Sequence, residues 1–220
     1  MIKRVYVICE GQSEEAFVKH ILSQHFENLQ IYLTPIVIPT SPKHKGGGLN
    51  YDRIKFFITN KLKQDKDAFV STFFDYYALP DDFPKYKEQK GDIYEKIGIL
   101  EQGFYNDIND QRFFPHIQPY EFESLLFSDI DKISQADPEW SNNQSCLNEL
   151  KKIIQEFNNP EFINNSPQTS PSHRLKDIFP KYRKVIHGRI ITQNITITHI
   201  RSKCKHFDEW CKKIASLQSL

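Results

Sequence analysis

At 220 residues and 26.0 kDa the chain is long enough to bury one substantial core, or one core with a small appendage. Hydrophobic residues make up 39% and charged residues 26%, and the net charge of +1 neither demands nor excludes a nucleic-acid partner, which would need a local basic patch. Cys9, Cys146, Cys204 and Cys211 are too scattered for a disulfide framework, no run approaches a membrane span, and the N-terminal apolar run meets Glu10 without a cleavage site for a signal peptide. The expectation is a cytoplasmic α/β protein.

In chain order, the β-branched and aromatic run at 4–9 predicts a first strand. Ser13 is placed to cap a helix that carries Glu14 and Glu15 in its first turn and ends near Phe26. A second strand follows at 31–38, where Pro35 argues against a central position. PTSPKHKGGGLN reads as a loop, and a helix at about 51–64 has Ile54, Phe57, Ile58 and Leu62 on its apolar side. The third strand, 68–74, ends on Asp75. After a loop, a helix is predicted at about 91–107, then a short fourth strand at 113–118, with a helix start at PYEFESLLFSD. Helices are expected at 146–157, about 173–179 and about 206–217, separated by a long polar loop at 158–172. Strand–helix alternation predicts a mostly parallel sheet flanked by helices, with about 1–130 forming the sheet core and about 131–220 a helical extension packed on it, together one domain.

Ligands of open parallel sheets bind beyond the carboxyl ends of the strands. Glu10 follows strand one, Asp75 strand three, and Glu121 and Glu123 strand four, so separate parts of the chain bring acids to one edge. Two carboxylates about 4 Å apart at an effective dielectric near 20 repel by roughly 4 kcal/mol. A proton, a Lys or Arg, or a hard divalent cation relieves that repulsion, and an all-carboxylate set suits Mg2+ or Mn2+. Spacing does not choose between Glu121 and Glu123, which are two residues apart at a helix start. Gly11 gives a tight turn and lets a ligand approach the backbone amides of Gly11, Gln12 and Ser13, which suits phosphate oxygens. Neither GxGxxG nor GxxxxGKS occurs, which removes the Rossmann and P-loop readings.

The segments VYVICEGQSEEAFVKHIL, FFDYYALPDDFP and FFPHIQPYEFESLLFSD resemble the Toprim-like bacterial family catalogued as domain of unknown function 4276, and INNSPQTSPSHRLKDIFPKYRKVIHG and CKHFDEW resemble its later segments. That resemblance covers residue 4 to about 214 and implies a Toprim-like fold, with possible links to defence and mobile-element systems. Toprim domains of topoisomerases, primases and overcoming-lysogenization-defect-type nucleases use a glutamate after the first strand and a DxD after a later one, and bind magnesium. Glu10 matches the glutamate and Asp75 the first aspartate, whereas Tyr77 stands at the second. Glu121, Glu123, Asp81 or Asp82 is left to supply the missing carboxylate.

Phosphodiester chemistry also needs positive charge. Lys43, His44 and Lys45 precede three glycines after strand two, and a second basic region runs through His173, Arg174, Lys176, Lys181, Arg183, Lys184 and His187. Lys43 and Arg174 are the preferred phosphate-steadying groups, with Lys45 and Lys176 as further contacts to phosphate or nucleic acid. His187 is weighed as a general acid or base, and His116 as a core histidine. His199, Cys204, His206 and Cys211 cluster, but their spacing is unlike structural zinc pairs. The leading expectation is a divalent-metal phosphodiester hydrolase, a nuclease acting on DNA or RNA. Alternatives are a non-catalytic Toprim-like module that binds nucleic acid or a protein partner, and a hydrolase or transferase for a small phosphorylated substrate.

Overall fold

In KRVYVIC the residues Val5, Val7 and Cys9 face one side of the sheet and Ile8 the other, all fully buried. A strand covered on both faces needs an apolar side chain at nearly every position, and this one lies inside the sheet. The computed structural model describes residues 2–38 and 50–219. β1 (Lys3–Cys9) pairs with β2 (Ile31–Val37) on one side and β3 (Phe69–Asp75) on the other, and both pairings are parallel. The order is β2-β1-β3-β4, which leaves Pro35 on the edge strand, where its missing N–H breaks no interior ladder.

The expected fourth strand is two short pieces, β4 (Phe113–Phe114) and β5 (Ile117–Gln118), both parallel to β3. Pro115 and His116 interrupt them, and a side chain closes the gap: the His116 N–H donates to Thr72 Oγ1, whose hydroxyl donates to the His116 carbonyl, both at 2.9 Å. The result registers Asp75 beside Gln118 at the strand ends.

The first helical stretch is α1 (Gln12–Phe17), a π-helical turn (Val18–Leu22) and α2 (Ser23–Glu27). α3 (Tyr51–Gln64) and α4 (Ile93–Ile108) cover the Ile8, Val70 and Phe74 face. Asn50 and Asp92 cap them, the latter in a full capping box with Glu95. After β5 the expected helix start is a 3-10 helix, Phe122–Ser128, followed by α5 (Ile130–Ser134), α6 (Pro138–Ser141) and α7 (Gln144–Phe157). The polar stretch expected as loop holds two short 3-10 turns, and α8 (Pro171–Ile178) starts on a proline. α9 (Lys184–Asn194) and α10 (Ile197–Lys203) were not legible in the sequence pattern, and α11 (Lys205–Ser216) closes the chain. Leu150, Leu175, Ile191, Ile200, Phe207 and Trp210 from these later helices join one buried cluster with Val5, Val7 and Phe73 of the sheet. Among the described residues, no helix is long and apolar enough to cross a membrane.

Candidate active site

Glu10 is the first residue beyond β1, and Gly11 rather than Ser13 is the cap of α1. The Gly11 N–H donates to Glu14 Oε2 at 3.0 Å, half of a capping box, since glycine has no side chain to return the bond. This corrects two expectations. The amide assigned to a phosphate is already taken by Glu14, and Gly11 has an extended backbone (φ −140°) that any residue adopts. Glycine has a different effect: a Cβ there would lie 3.0 Å from Glu14 Oε2, so its absence gives that carboxylate room to fold back onto the Gly11 N–H. Gln12 is exposed and Ser13 half-buried, with no cap bond from the latter.

Asp75 ends β3, and its Oδ1 accepts the Phe122 N–H at 2.8 Å, which ties the first turn of the 3-10 helix to the strand end. Just before that helix Tyr120 takes a left-handed backbone (φ 55°), a conformation costing a side-chain-bearing residue about 1–3 kcal/mol. The Tyr77 N–H donates to the Tyr120 carbonyl at 3.1 Å and helps hold the kink. Beyond it, Glu121 and Glu123 reach the same partner despite their spacing. Lys184 Nζ, from the first turn of α9, lies 3.3 Å from Glu123 Oε2 and 4.0 Å from Glu121 Oε1. Glu121 is steadied further by the Ser172 N–H and hydroxyl, at 2.9 and 3.1 Å.

Glu10, Glu14, Asp75, Glu121, Glu123 and Lys184 thus form one electrostatic cluster. Burial first, then the Glu14 charge, pushes the Glu10 pKa up to about 7. Burial also raises Glu123 to about 7, against the pull of Lys184, and raises Glu14. Asp75 lies well above the carboxylate range because it is desolvated and faces Glu14, Glu10 and Glu123. Burial works against the Lys184 ammonium, but Glu123, Glu121 and Asp75 outweigh it and keep its pKa above the usual value.

One lysine does not satisfy this many acids. Glu10 Oε2, Glu123 Oε1 and the Tyr182 hydroxyl are buried without a hydrogen-bond partner. Glu161 shows how the same fold treats a structural acid: it is fully buried, yet it accepts from the Tyr94 hydroxyl (2.7 Å), His206 N–H (2.9 Å) and Phe207 N–H (3.0 Å). Buried polar groups are normally paired in this way. Orphaned oxygens among neighbouring carboxylates fit a hard divalent cation, which supplies the missing charge and takes oxygen ligands. Among the described residues no three of these acids bring oxygens within 4.8 Å of one another, so an ion would draw them closer. Glu10, Asp75, Glu121 and Glu123, with Glu14 added, are the residues that would hold Mg2+ or Mn2+.

Other candidates fall elsewhere. Lys43, His44 and Lys45 lie outside the described residues. Arg174 donates through Nε to the Thr169 carbonyl at 2.8 Å and lies over the Phe157 ring, while Lys176 is exposed. His187 is not a loop residue: it is buried in α9, with Nδ1 accepting the Arg183 N–H at 2.8 Å. Asp82 accepts the Tyr51 N–H at the start of α3, a capping role. Tyr77 packs against Tyr76 and Tyr120 instead of presenting an acid. His199 bonds the Ser128 carbonyl, while Cys204 and Cys211 are buried as core thiols raised by burial. Sequence reasoning placed Lys184 only in a basic stretch and read Glu14 as helix-dipole compensation. Both enter the site through packing of α1 against α9.

No curated protein matches the chain. Among solved structures it is similar to the C-terminal region of the Burkholderia pseudomallei OLD protein, at 15% identity and TM-score 0.46, covering 98% of this chain and 100% of that one. It is also similar to the C-terminal region of the Xanthomonas campestris pv. campestris OLD protein, at 15% identity and TM-score 0.43, covering 99% and 96%. A family model described as a domain of unknown function, DUF4276, matches residues 9–215, and the chain belongs to that family.

Proposed function

We propose that the protein is a divalent-metal-dependent phosphodiester hydrolase of Toprim-like type, acting on nucleic acid. The observation that carries this reading is the convergence of Glu10, Glu14, Asp75, Glu121 and Glu123 on Lys184 with buried carboxylate oxygens left unpartnered. Bound Mg2+ or Mn2+ would polarise the phosphoryl oxygens and lower the pKa of attacking water. The protein's own groups divide the remaining tasks. Asp75, pinned by the Phe122 N–H, and Glu121, pinned by Ser172, are preorganised ligands. Glu10 and Glu123, with pKa values pushed to about 7 in the metal-free site, would release protons as the ion binds, which makes binding tighter as pH rises. Lys184 sits where its charge would steady a phosphate oxygen, the role sequence spacing assigned to Lys43 or Arg174. The unpartnered Tyr182 hydroxyl, within electrostatic reach of Glu123, Glu121 and Glu14, is a further donor.

Tyr77 favours a second reading, a non-catalytic module that keeps the fold and binds nucleic acid or a protein partner. It replaces an acid with a phenol packed among tyrosines. Labelled single- and double-stranded DNA and RNA, and a small phosphodiester, incubated with Mg2+ or Mn2+ separate the two. Metal-dependent cleavage that disappears in Glu10→Gln supports the enzyme and identifies its substrate class. Absence of Mg2+ and Mn2+ binding by calorimetry, with any cleavage unchanged in Glu10→Gln, removes it.

A further inference from the structure

A second group of potential ligands lies apart from the carboxylate cluster and comes from three different segments. Glu101 is in the middle of α4, His116 lies between β4 and β5, and His206 is in the first turn of α11. One ligand atom from each lies within 4.8 Å of the other two. His206 Nε2 is 3.0 Å from Glu101 Oε1, and His116 Nδ1 is 4.0 Å from the same oxygen.

Gln118 Nε2 lies 3.0 Å from Ser124 Oγ and Gln118 Oε1 3.3 Å from His116 Nε2. That contact accommodates the His116 tautomer protonated on Nε2, in which the Nδ1 lone pair faces a carboxylate oxygen beyond hydrogen-bond distance. Two electron-pair donors opposed across a gap is the arrangement a cation closes. The His116 backbone is clamped by Thr72, and its ring stacks on Trp210 at 4.5 Å, so this donor is held rigidly. Gln118 stands behind it as the outer partner that ligating histidines usually have. Glu101 is fixed in the same way by the Ile117 N–H at 2.7 Å.

We infer that Glu101, His116 and His206 form a binding site for one borderline transition-metal ion, zinc first, independent of the carboxylate cluster. Ligands about 2.0–2.2 Å from a tetrahedral ion stand roughly 3.4 Å apart. Glu101 Oε1 is 3.0 and 4.0 Å from the two imidazole nitrogens, which lie within 4.8 Å of each other, and the rings, stacked at 5.0 Å and 19°, must tilt apart to aim both lone pairs at one ion. Two imidazoles and one carboxylate favour zinc over magnesium. A cavity of about 120 Å3, lined also by Glu209, Trp210 and Lys213, opens beside the three residues and leaves room for water or a small ligand in a fourth position. Such an ion would tie α4, the strand junction and α11 together.

The full chain is titrated with Co2+ as a spectroscopic probe. The expected result is that the intense visible bands of tetrahedral cobalt saturate at one ion per chain, are displaced by Zn2+ and are retained in Glu10→Gln, while an ion at the carboxylate cluster adds only weak octahedral bands. Glu101→Gln and His206→Ala, checked for folding by circular dichroism, are each expected to weaken binding at least about tenfold. X-ray absorption on the unmutated zinc-loaded protein counts imidazoles directly, with two expected, so the assignment does not rest on the variants folding. Absence of the tetrahedral bands, their survival in both variants, their loss in Glu10→Gln, or fewer than two imidazoles overturns the proposal.

Discussion

Burial favours the protonated form of the clustered acids, and Lys184 is the cation that opposes it. Its charge favours ionised Glu123, Glu10, Glu14 and Asp75, and it stands 3.3 Å from Glu123. Replacing it by methionine keeps the stem that packs on the cluster and deletes the charge. If its task is to steady the transferred phosphoryl group, Lys184→Met lowers metal-dependent cleavage by about 10^2-fold, the scale of losing one positioned stabilising group. Mg2+ binding measured by calorimetry at alkaline pH should be no weaker, because a competing cation has gone. Glu10→Gln behaves differently and loses both cleavage and metal binding. A Lys184→Met variant that cleaves normally would remove the lysine from the chemistry while leaving the carboxylates in it.

At the scale of elements, Glu161 joins the 3-10 turn after α7 to the start of α11 and to Tyr94 of α4. Glu161→Ala strands two backbone N–H groups and a buried phenol, so a loss of about 2–4 kcal/mol is expected in urea unfolding, with an unchanged denaturant slope. A loss below about 1 kcal/mol would mean that water replaces the carboxylate. The elements themselves were unequally legible. β1, β2 and β3 were read to within a residue at each end, β1 and β3 because strands covered on both faces write near-continuous apolar runs and β2 because buried Ile31 and Leu33 alternate with exposed Tyr32 and Thr34. The 113–118 strand was read whole because pattern does not show that Thr72 would patch the break at Pro115. α9 left little trace: Val185, Ile186, Ile190, Ile191 and Thr192 are poor helix formers and Gly188 sits mid-helix. Packing overrides propensity there. A Cβ on Gly188 would meet the Phe122 ring at 3.3 Å, so glycine lets α9 lie close to the 3-10 helix and bring Lys184 over the acids. Glu10 and Asp75 could be read from their place after strands. Lys184 and Glu14 could not, because nothing local separates them from a solvated lysine and a first-turn glutamate.

For the whole molecule, the cluster makes stability depend on pH in a direction opposite to the usual acidic salt bridge. Glu10 and Glu123 have folded-state pKa values of about 7 against ordinary values of 4.5, so the folded chain holds protons that the unfolded chain has released between those limits. Stability from these groups is fully present below about pH 4.5 and is lost as pH rises through 7, at up to about 3 kcal/mol for each group. Asp65, Asp107, Asp110 and Asp208 have lowered pKa values and act the other way, but their stability is already complete above the unfolded value near 3.8. His25, His116 and His187, whose pKa values burial lowers below the unfolded value near 6.5, add stability as pH rises toward that value and oppose the cluster. The cluster's share is therefore read from a difference: in thermal unfolding in chelator between pH 5 and 8, the midpoint of Glu10→Gln should gain on that of the unmutated chain as pH rises, because one titrating acid has gone. Added Mg2+ should raise the midpoint most at the alkaline end, since the ion binds the ionised carboxylates that destabilise the metal-free fold. A Glu10→Gln midpoint that follows that of the unmutated chain in parallel from pH 5 to 8, or a midpoint raised equally by Mg2+ at both ends, would show that these acids are solvated and do not share a buried site.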